Sequence, residues 1–231
     1  MGATDWFIGI SYVGGADFCR RAAESCGRFR DKVLIVDSGD ANDAPQPGAG
    51  EIRWSVFRPF LPYTHTQTHN YFQRLAMLRN ADFYLVMHAD AEARESTIES
   101  LVHRAAQDMD AGRKIAAWFT NYDALAAYSV AAAREVGPWD WQLFPSYYSD
   151  NDYYRRCGLR GWELTDTSLL VAHVGSHVIN RVDRWRKLFT RLRMPHWREL
   201  YVEKWGGEVG AEVYRTPFGI DPAKGPYPDG E

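Results

Sequence analysis

Residues 81–90, ADFYLVMHAD, carry an almost unbroken apolar run that ends in polar residues. A strand with one face in water would alternate apolar and polar side chains. A run without alternation needs cover on both faces, which a central strand between two layers of helices receives. The surrounding sequence repeats the theme. WFIGISYV (6–13), KVLIVD (32–37), EIRWSVF (51–57) and KIAAWFTN (114–121) read as further strands. Helical patterns lie between them over 17–26, 66–79 and 96–109. Asp17 is placed to cap the first helix and Gly27 to end it, Ser96 with Glu99 has the form of a capping box, and Gly112 stops the third pattern. LAAYSVAAAREVG (125–137) is a strand running into a short helix, SDNDYYRRCG (149–158) an acidic helix start, and SLLVAHVG (168–175) a last strand.

Strands alternating with helices predict an α/β fold with a mostly parallel central sheet flanked by helices. Beyond Asn180 the texture becomes basic and Trp-rich, then rich in Gly and Pro. The expected organisation is one catalytic domain over 5–180 and a helical or irregular extension over 181–231 packed on it.

Composition narrows the function classes. A net charge of −3 argues against a protein devoted to nucleic acid. Cys19, Cys26 and Cys157 are an odd count without framework spacing, which predicts reduced thiols in a cytoplasmic setting. The sequence MGATDWFIGI has no signal-peptide pattern, Trp6 stands where a myristoylation signal needs Ser or Thr, and no apolar run reaches the roughly 20 residues of a membrane span. An aromatic content of 14% is on the rich side; aromatics beyond core needs often line sugar- or base-stacking surfaces, although plain core and interface packing explains most of them.

In open α/β sheets, ligands bind beyond the carboxyl ends of the strands. Polar residues at those ends here are Asp37, then His88, Asp90 and Glu92, then Asp150 and Asp152 at a helix start, with His173 and His177 flanking the last strand. Such a set suits glycosyl transfer from a nucleotide diphosphate. That reaction needs Mg²⁺ or Mn²⁺ against the departing diphosphate, a base for the acceptor hydroxyl, and a hold on the nucleoside. Asp90 can hold the ion, Asp150 or Asp152 can act as base, and Asp37 can accept hydrogen bonds from the nucleoside.

The order of these features resembles the GT-A fold glycosyltransferases, most closely the large family 2 of inverting enzymes. VLIVDSG (33–39) resembles that family's first nucleotide-contacting strand, and THNYFQRLAMLRNADFYLVMHADAE (68–92) its Asn-bearing helix leading into the D-x-D strand. VAAAREVGPWDW followed by LFPSYYSDNDYYRRCGLRGW resembles the acceptor-side segment, and YVEKWGG with TPFG a C-terminal Lys-Trp-Gly-Gly element. The resemblance spans Phe7 to Gly219. It implies a donor site using Asp37, Asn70, Arg156, Lys204 and Trp205, the last two as a phosphate contact and lid, with a UDP-sugar favoured. It also implies a metal held by Asp90 and completed by His173, and Asp150 as base, with Asp152 two residues on. The D-x-D site here reads His88-Ala89-Asp90, and Ser149 stands where an acidic residue is usual. His88 is therefore either a ribose contact or a softer metal ligand, which would suit Mn²⁺ better than Mg²⁺.

Each candidate also has a structural use. Asp90 can serve as a turn carboxylate, Asp37 can start an Asx-turn, and Asp150 and Asp152 can favour the helix dipole. Asn70 within a helix is as readily structural as functional. The pairs His65/His69 and His173/His177 share i,i+4 spacing but match no zinc signature. RVDRWRKLFTRLRMPHWR (181–198) holds seven Lys and Arg against one Asp; it is a solvated helix face or a contact for anionic lipid head groups. The acceptor class stays open between carbohydrate, lipid-linked, protein and nucleic-acid hydroxyls. Rival functions are a degenerate nucleotide- or glycan-binding module, a metal-dependent hydrolase, and a nucleotidyltransferase, whose basic Gly-rich loop SYVGGADF lacks.

Overall fold

The structure is a computed structural model that describes residues 5–39, 54–173 and 184–221. In chain order the elements are β1 (Ile8–Tyr12), α1 (Ala16–Ser25), β2 (Val33–Asp37), β3 (Ser55–Phe57), α2 (His65–Leu78), β4 (Phe83–Met87) and β5 (Ala91–Glu92). Then follow α3 (Glu95–Asp110), β6 (Ile115–Phe119), β7 (Leu125–Ser129), α4 (Val130–Val136), α5 (Ser149–Leu159), β8 (Glu163–Asp166), β9 (Ala172–His173) and α6 (Arg184–Trp205).

Seven strands form one sheet in the order β3-β2-β1-β4-β7-β6-β8. β3, β2, β1 and β4 run parallel, β7 runs antiparallel to both β4 and β6, and β8 is parallel to β6. β4 is central, and its apolar run feeds two cores. Phe83, Leu85 and Met87 join the core that also holds Ala22, Ile98 and Leu101 from α1 and α3. Tyr84 and Val86 join the opposite core with Phe72, Ala132 and Tyr153 from α2, α4 and α5. Successive side chains of a strand point to opposite faces, so a strand between two helical layers has no polar position to offer. Gly9 of β1 serves the second layer, because a Cβ there would lie 2.6 Å from the Phe72 ring.

A third cluster, Phe144, Trp197, Tyr201 and Trp205, docks the C-terminal half of α6 onto the 143–148 loop, with Leu159 of α5 packed against it. The chain then folds back sharply, and both Val213 and Tyr214 donate their amides to the Trp205 carbonyl, at 3.1 and 2.9 Å. This return explains the Gly206-Gly207 pair. Gly206 has φ +72°, and a Cβ on Gly207 would lie 2.2 Å from the Ala211 carbonyl oxygen.

Several local expectations are corrected. α3 starts at Glu95 with Arg94 as N-cap, so Ser96 and Glu99 lie inside the helix, and Glu99 pairs with Arg28 at 2.6 Å. The capping box sits one helix earlier, where Thr64 accepts from the Gln67 amide and the Gln67 side chain accepts from the Thr64 amide. Gly15, in the left-handed conformation, is the N-cap of α1; Asp17 is in the first turn, bonded to Arg20. Of the strand expected over 168–175, the described part is Ala172–His173, which starts four residues late and pairs with β5 in a separate antiparallel ladder; residues 174–175 lie outside the described residues. β8, which the sequence reading lacked, is a mostly exposed edge strand with little apolar pattern to betray it. His177 and the boundary expected at 180/181 lie outside the described residues.

Candidate active site

β1 lies between β2 and β4, all three parallel, so their carboxyl ends open at one edge. The chain proceeds from β1 to one side of the sheet and later returns to the other. That reversal leaves a crevice beyond the strand ends. Asp37 closes β2 on one flank, and His88 and Asp90 follow β4 on the other.

Past β4 the backbone turns tightly, with the Ala91 amide donating to the His88 carbonyl at 3.1 Å and the His88 amide to the Ala124 carbonyl at 2.9 Å. β5 then pairs with β9 in the register Ala91↔His173, which lays His173 beside Asp90. The three side chains converge. His173 Nε2 is 3.3 Å from Asp90 Oδ1 and 3.4 Å from His88 Nδ1, and one ligand atom from each lies within 4.8 Å of the others. Burial first, with the neighbouring His65 and His173 rings adding to it against the Asp90 charge, lowers the His88 pKa to about 4. His88 is thus a neutral imidazole near pH 7, with a lone pair to give. Two nitrogens and a carboxylate oxygen form a donor set that fits a borderline divalent ion such as Mn²⁺ better than the oxygen-seeking Mg²⁺.

Two residues absent from the sequence-based set border this group. Asp123, in a left-handed backbone conformation (φ 51°), places Oδ1 3.7 Å from His88 Nε2. Burial, and then the charge of Asp150, push its carboxyl up to about 7. His65 opens α2, stacked edge-on against His69 at 4.6 Å, and its pKa is lowered by burial against the opposing charge of Asp150. A rule that polar residues after a strand are candidates would have found Asp123, which follows β6. The His65/His69 spacing was visible but had no partner to give it meaning. Asp150 itself sits in the first turn of α5, half-buried, and accepts a long 3.5 Å contact from the Asn151 side chain. Its charge acts on both His65 and Asp123.

Other sequence-based candidates are occupied elsewhere. Asp37 is buried, paired with Arg58, and accepts the Gly39 amide at 3.0 Å. Asn70 clamps the backbone of Trp139, donating to its carbonyl at 2.9 Å and accepting from its amide at 2.8 Å. Asp152 is wholly buried. Its Oδ2 accepts from Arg156 Nε at 2.9 Å, and its Oδ1 faces Lys204 Nζ at 2.7 Å and accepts from Trp205 Nε1 at 3.0 Å. Lys204 also bonds Asp140 at 2.7 Å, and Arg156 donates to the Val136 and Pro138 carbonyls. The expected Lys204–Trp205 lid is therefore a fixed buttress: both residues are buried and held by carboxylates on the loop and on α5.

An open cavity of about 540 Å³ between α3 and residues 167–169 shares no residue with this crevice. Among the described residues no helix is long and apolar enough to cross a membrane.

No protein-family model matches the sequence, and no curated protein matches it either. Solved structures do match in fold. Glucosyl-3-phosphoglycerate synthase from Mycobacterium tuberculosis, in complex with Mn²⁺, UDP and phosphoglyceric acid, aligns with TM-score 0.54 at 11% identity, over 83% of this chain and 75% of that one. The same enzyme with Mn²⁺ and UDP-glucose aligns with TM-score 0.53 at 13% identity, over 84% and 77%. S. aureus TarS 1–349 aligns with TM-score 0.51 at 10% identity, over 71% of this chain and 58% of that one. The chain thus has the α/β architecture of GT-A-like proteins, with the same mostly parallel sheet flanked by helices.

Proposed function

We propose that this protein is a metal-dependent glycosyltransferase that moves a sugar from a nucleotide-diphosphate donor, a UDP-sugar in the favoured case, to an acceptor hydroxyl with inversion. The observation that carries this reading is the convergence of His88, Asp90 and His173 at the switch point of a sheet of this fold. The fold is shared with an enzyme that binds Mn²⁺ and UDP-glucose, which supports the donor class.

In this reading His88, Asp90 and His173 hold Mn²⁺, or less readily Mg²⁺, and the ion supplies positive charge where the diphosphate departs. Asp150 takes the proton from the acceptor hydroxyl as that oxygen attacks the anomeric carbon. Burial keeps His88 unprotonated, so it adds no competing proton at neutral pH. Asp37 sits at the nucleoside end, and binding there requires the Arg58 guanidinium to share or release its carboxylate. The Asp152–Lys204–Trp205 network fixes α5, and with it the first-turn position of Asp150.

Calorimetric titration of UDP and GDP with and without Mn²⁺, in the native protein and in Asp90→Ala, tests the reading. Metal-dependent binding of one nucleotide, lost in the variant, is expected. Absence of binding with metal present would remove the donor site. Binding without any hydrolysis or transfer of a sugar-nucleotide would leave only a binding module.

A further inference from the structure

α6 has two unlike halves. In the second, Trp197, Tyr201, Lys204 and Trp205 are buried against the body of the protein. In the first, Leu188, Phe189 and Leu192 stand 43%, 55% and 67% exposed. At about 100° of rotation per residue, Leu188, Leu192 and Phe189 share one arc of the helix, and Trp197 and Tyr201 occupy the opposite one. Docking of α6 therefore turns the Leu188/Phe189/Leu192 stripe away from the protein. Pro195 lies inside the helix between the two halves.

Cations flank the stripe. Arg191 lies on one side and Arg193 on the other, with Lys187 one turn before Arg191 and further round the helix; all three are exposed, and residues 187–193 include no acidic side chain. Among the described residues none of the three makes an ion pair, whereas Arg198, nearer the docked half, pairs with Glu208. The Arg193 guanidinium instead lies 5.1 Å from the centre of the Phe189 ring, bordering the apolar surface. Two copies pairing through the stripe would bring basic flank against basic flank. A nucleic acid would neutralise the flanks but leave the Leu and Phe side chains facing phosphate. An anionic lipid surface satisfies both parts, because head-group phosphates meet the cations and the upper acyl chains receive the stripe.

We propose that the Leu188/Phe189/Leu192 stripe of α6, with Lys187, Arg191 and Arg193, docks the protein onto anionic lipid bilayers. This inference does not depend on the transferase reading. The helix lies in the plane of the interface with the three side chains pointing toward the acyl chains, and it does not cross the bilayer.

The full-length chain is sedimented with vesicles of phosphatidylcholine alone and of phosphatidylcholine mixed with phosphatidylglycerol. Binding to the mixed vesicles only, weakening as NaCl is raised, is expected. Each Lys or Arg at such a surface strengthens binding by about fivefold, so Lys187→Glu/Arg191→Glu/Arg193→Glu should weaken it by on the order of a hundredfold or more. Leu188→Ser/Phe189→Ser/Leu192→Ser should weaken it by at least about tenfold with the charges intact. All six positions are exposed, and circular dichroism checks that the helix persists; if the triple Ser variant loses helix, Leu192→Ser alone decides. No binding to either vesicle, equal binding to both, or indifference to both sets of substitutions would overturn the proposal. So would a stripe-dependent dimer in sedimentation equilibrium, or a charge-dependent preference for RNA over the mixed vesicles.

Discussion

The indole Nε1 of Trp205 donates a 3.0 Å hydrogen bond to Oδ1 of Asp152, tying the last turn of α6 to the first turn of α5. The same oxygen faces the Lys204 ammonium, and Arg156 holds the other oxygen. A buried carboxylate in this position is needed to offset two cations. Asp152→Ala should therefore cost about 3–5 kcal/mol, since it leaves Arg156 without a carboxylate and Lys204 with Asp140 alone. Trp205→Phe, which removes one donor and keeps most of the ring, should cost about 1–3 kcal/mol. Chemical denaturation measures both. If Asp152 were instead a free base in the crevice, its Ala variant would retain stability and lose turnover.

Asn70 gives a second separation of structural from ligand-binding roles. Both of its hydrogen bonds go to the Trp139 backbone, at 2.8 and 2.9 Å, and Trp139 stacks on Tyr153 of α5 at 4.6 Å between ring centres. Asn70→Ala should lower stability by about 1–3 kcal/mol through unpaired backbone groups. Asn70→Asp, which keeps the acceptor and loses the donor, should fall between. UDP affinity of the folded fraction should stay near the native value. A large loss of UDP affinity with unchanged stability would reassign Asn70 to the donor site.

These cases show where sequence was informative. The run Phe83–Met87 announced a strand covered on both faces, because helical layers on either side leave no polar position, and that fixed the fold class. The strand-end rule picked out His88, Asp90 and His173 together with Asp37, Glu92, Asp150, Asp152 and His177, and the structure brings the first three together. The two-residue ladder that places His173 there carries no periodic pattern and was not legible. Asp150 and Asp152 are indistinguishable as first-turn carboxylates; only the return of α6, from some 50 residues away, shows that one is enclosed. Thr64-Gln67 and Ser96-Glu99 offer similar local capping signals, and the choice between them is tertiary. His65 gains interest only from its burial and from the charge of Asp150 beside it, whereas Asp123 was open to a strand-end reading after β6.

Asp140 predicts an acid-sensitive component of stability. Burial acts to raise its carboxyl, but the Lys204 hydrogen bond, the Leu143 amide and the charges of Lys204 and Arg156 outweigh it and hold it below the ordinary value of 3.8. A carboxyl depressed on folding contributes stability that is present above 3.8 and is lost as pH falls through the folded value. Asp140→Asn should therefore be less stable than the native protein at neutral pH, and the gap should close as pH falls below 3.8. Tryptophan fluorescence during urea unfolding at a series of pH values follows this through Trp197 and Trp205. A gap independent of pH would mean that Lys204 draws its stabilisation from Asp152 alone.

The ligand set predicts metal preference. His88, Asp90 and His173 offer two nitrogens and one carboxylate, so Mn²⁺ should bind more tightly than Mg²⁺. His88→Asp replaces one nitrogen with oxygen and should narrow or reverse that preference, while His88→Ala and His173→Ala should each weaken Mn²⁺ by at least about tenfold. Electron paramagnetic resonance of free Mn²⁺ reads these affinities without any assumption about donor or acceptor. Burial holds His88 near 4, so protonation of this ligand should not limit Mn²⁺ binding between pH 6 and pH 8, roughly two units or more above its titration. Unchanged Mn²⁺ affinity in both His variants, or equal affinity for the two ions in the native protein, would remove the imidazoles from the metal site and leave Asp90 to be explained by its turn.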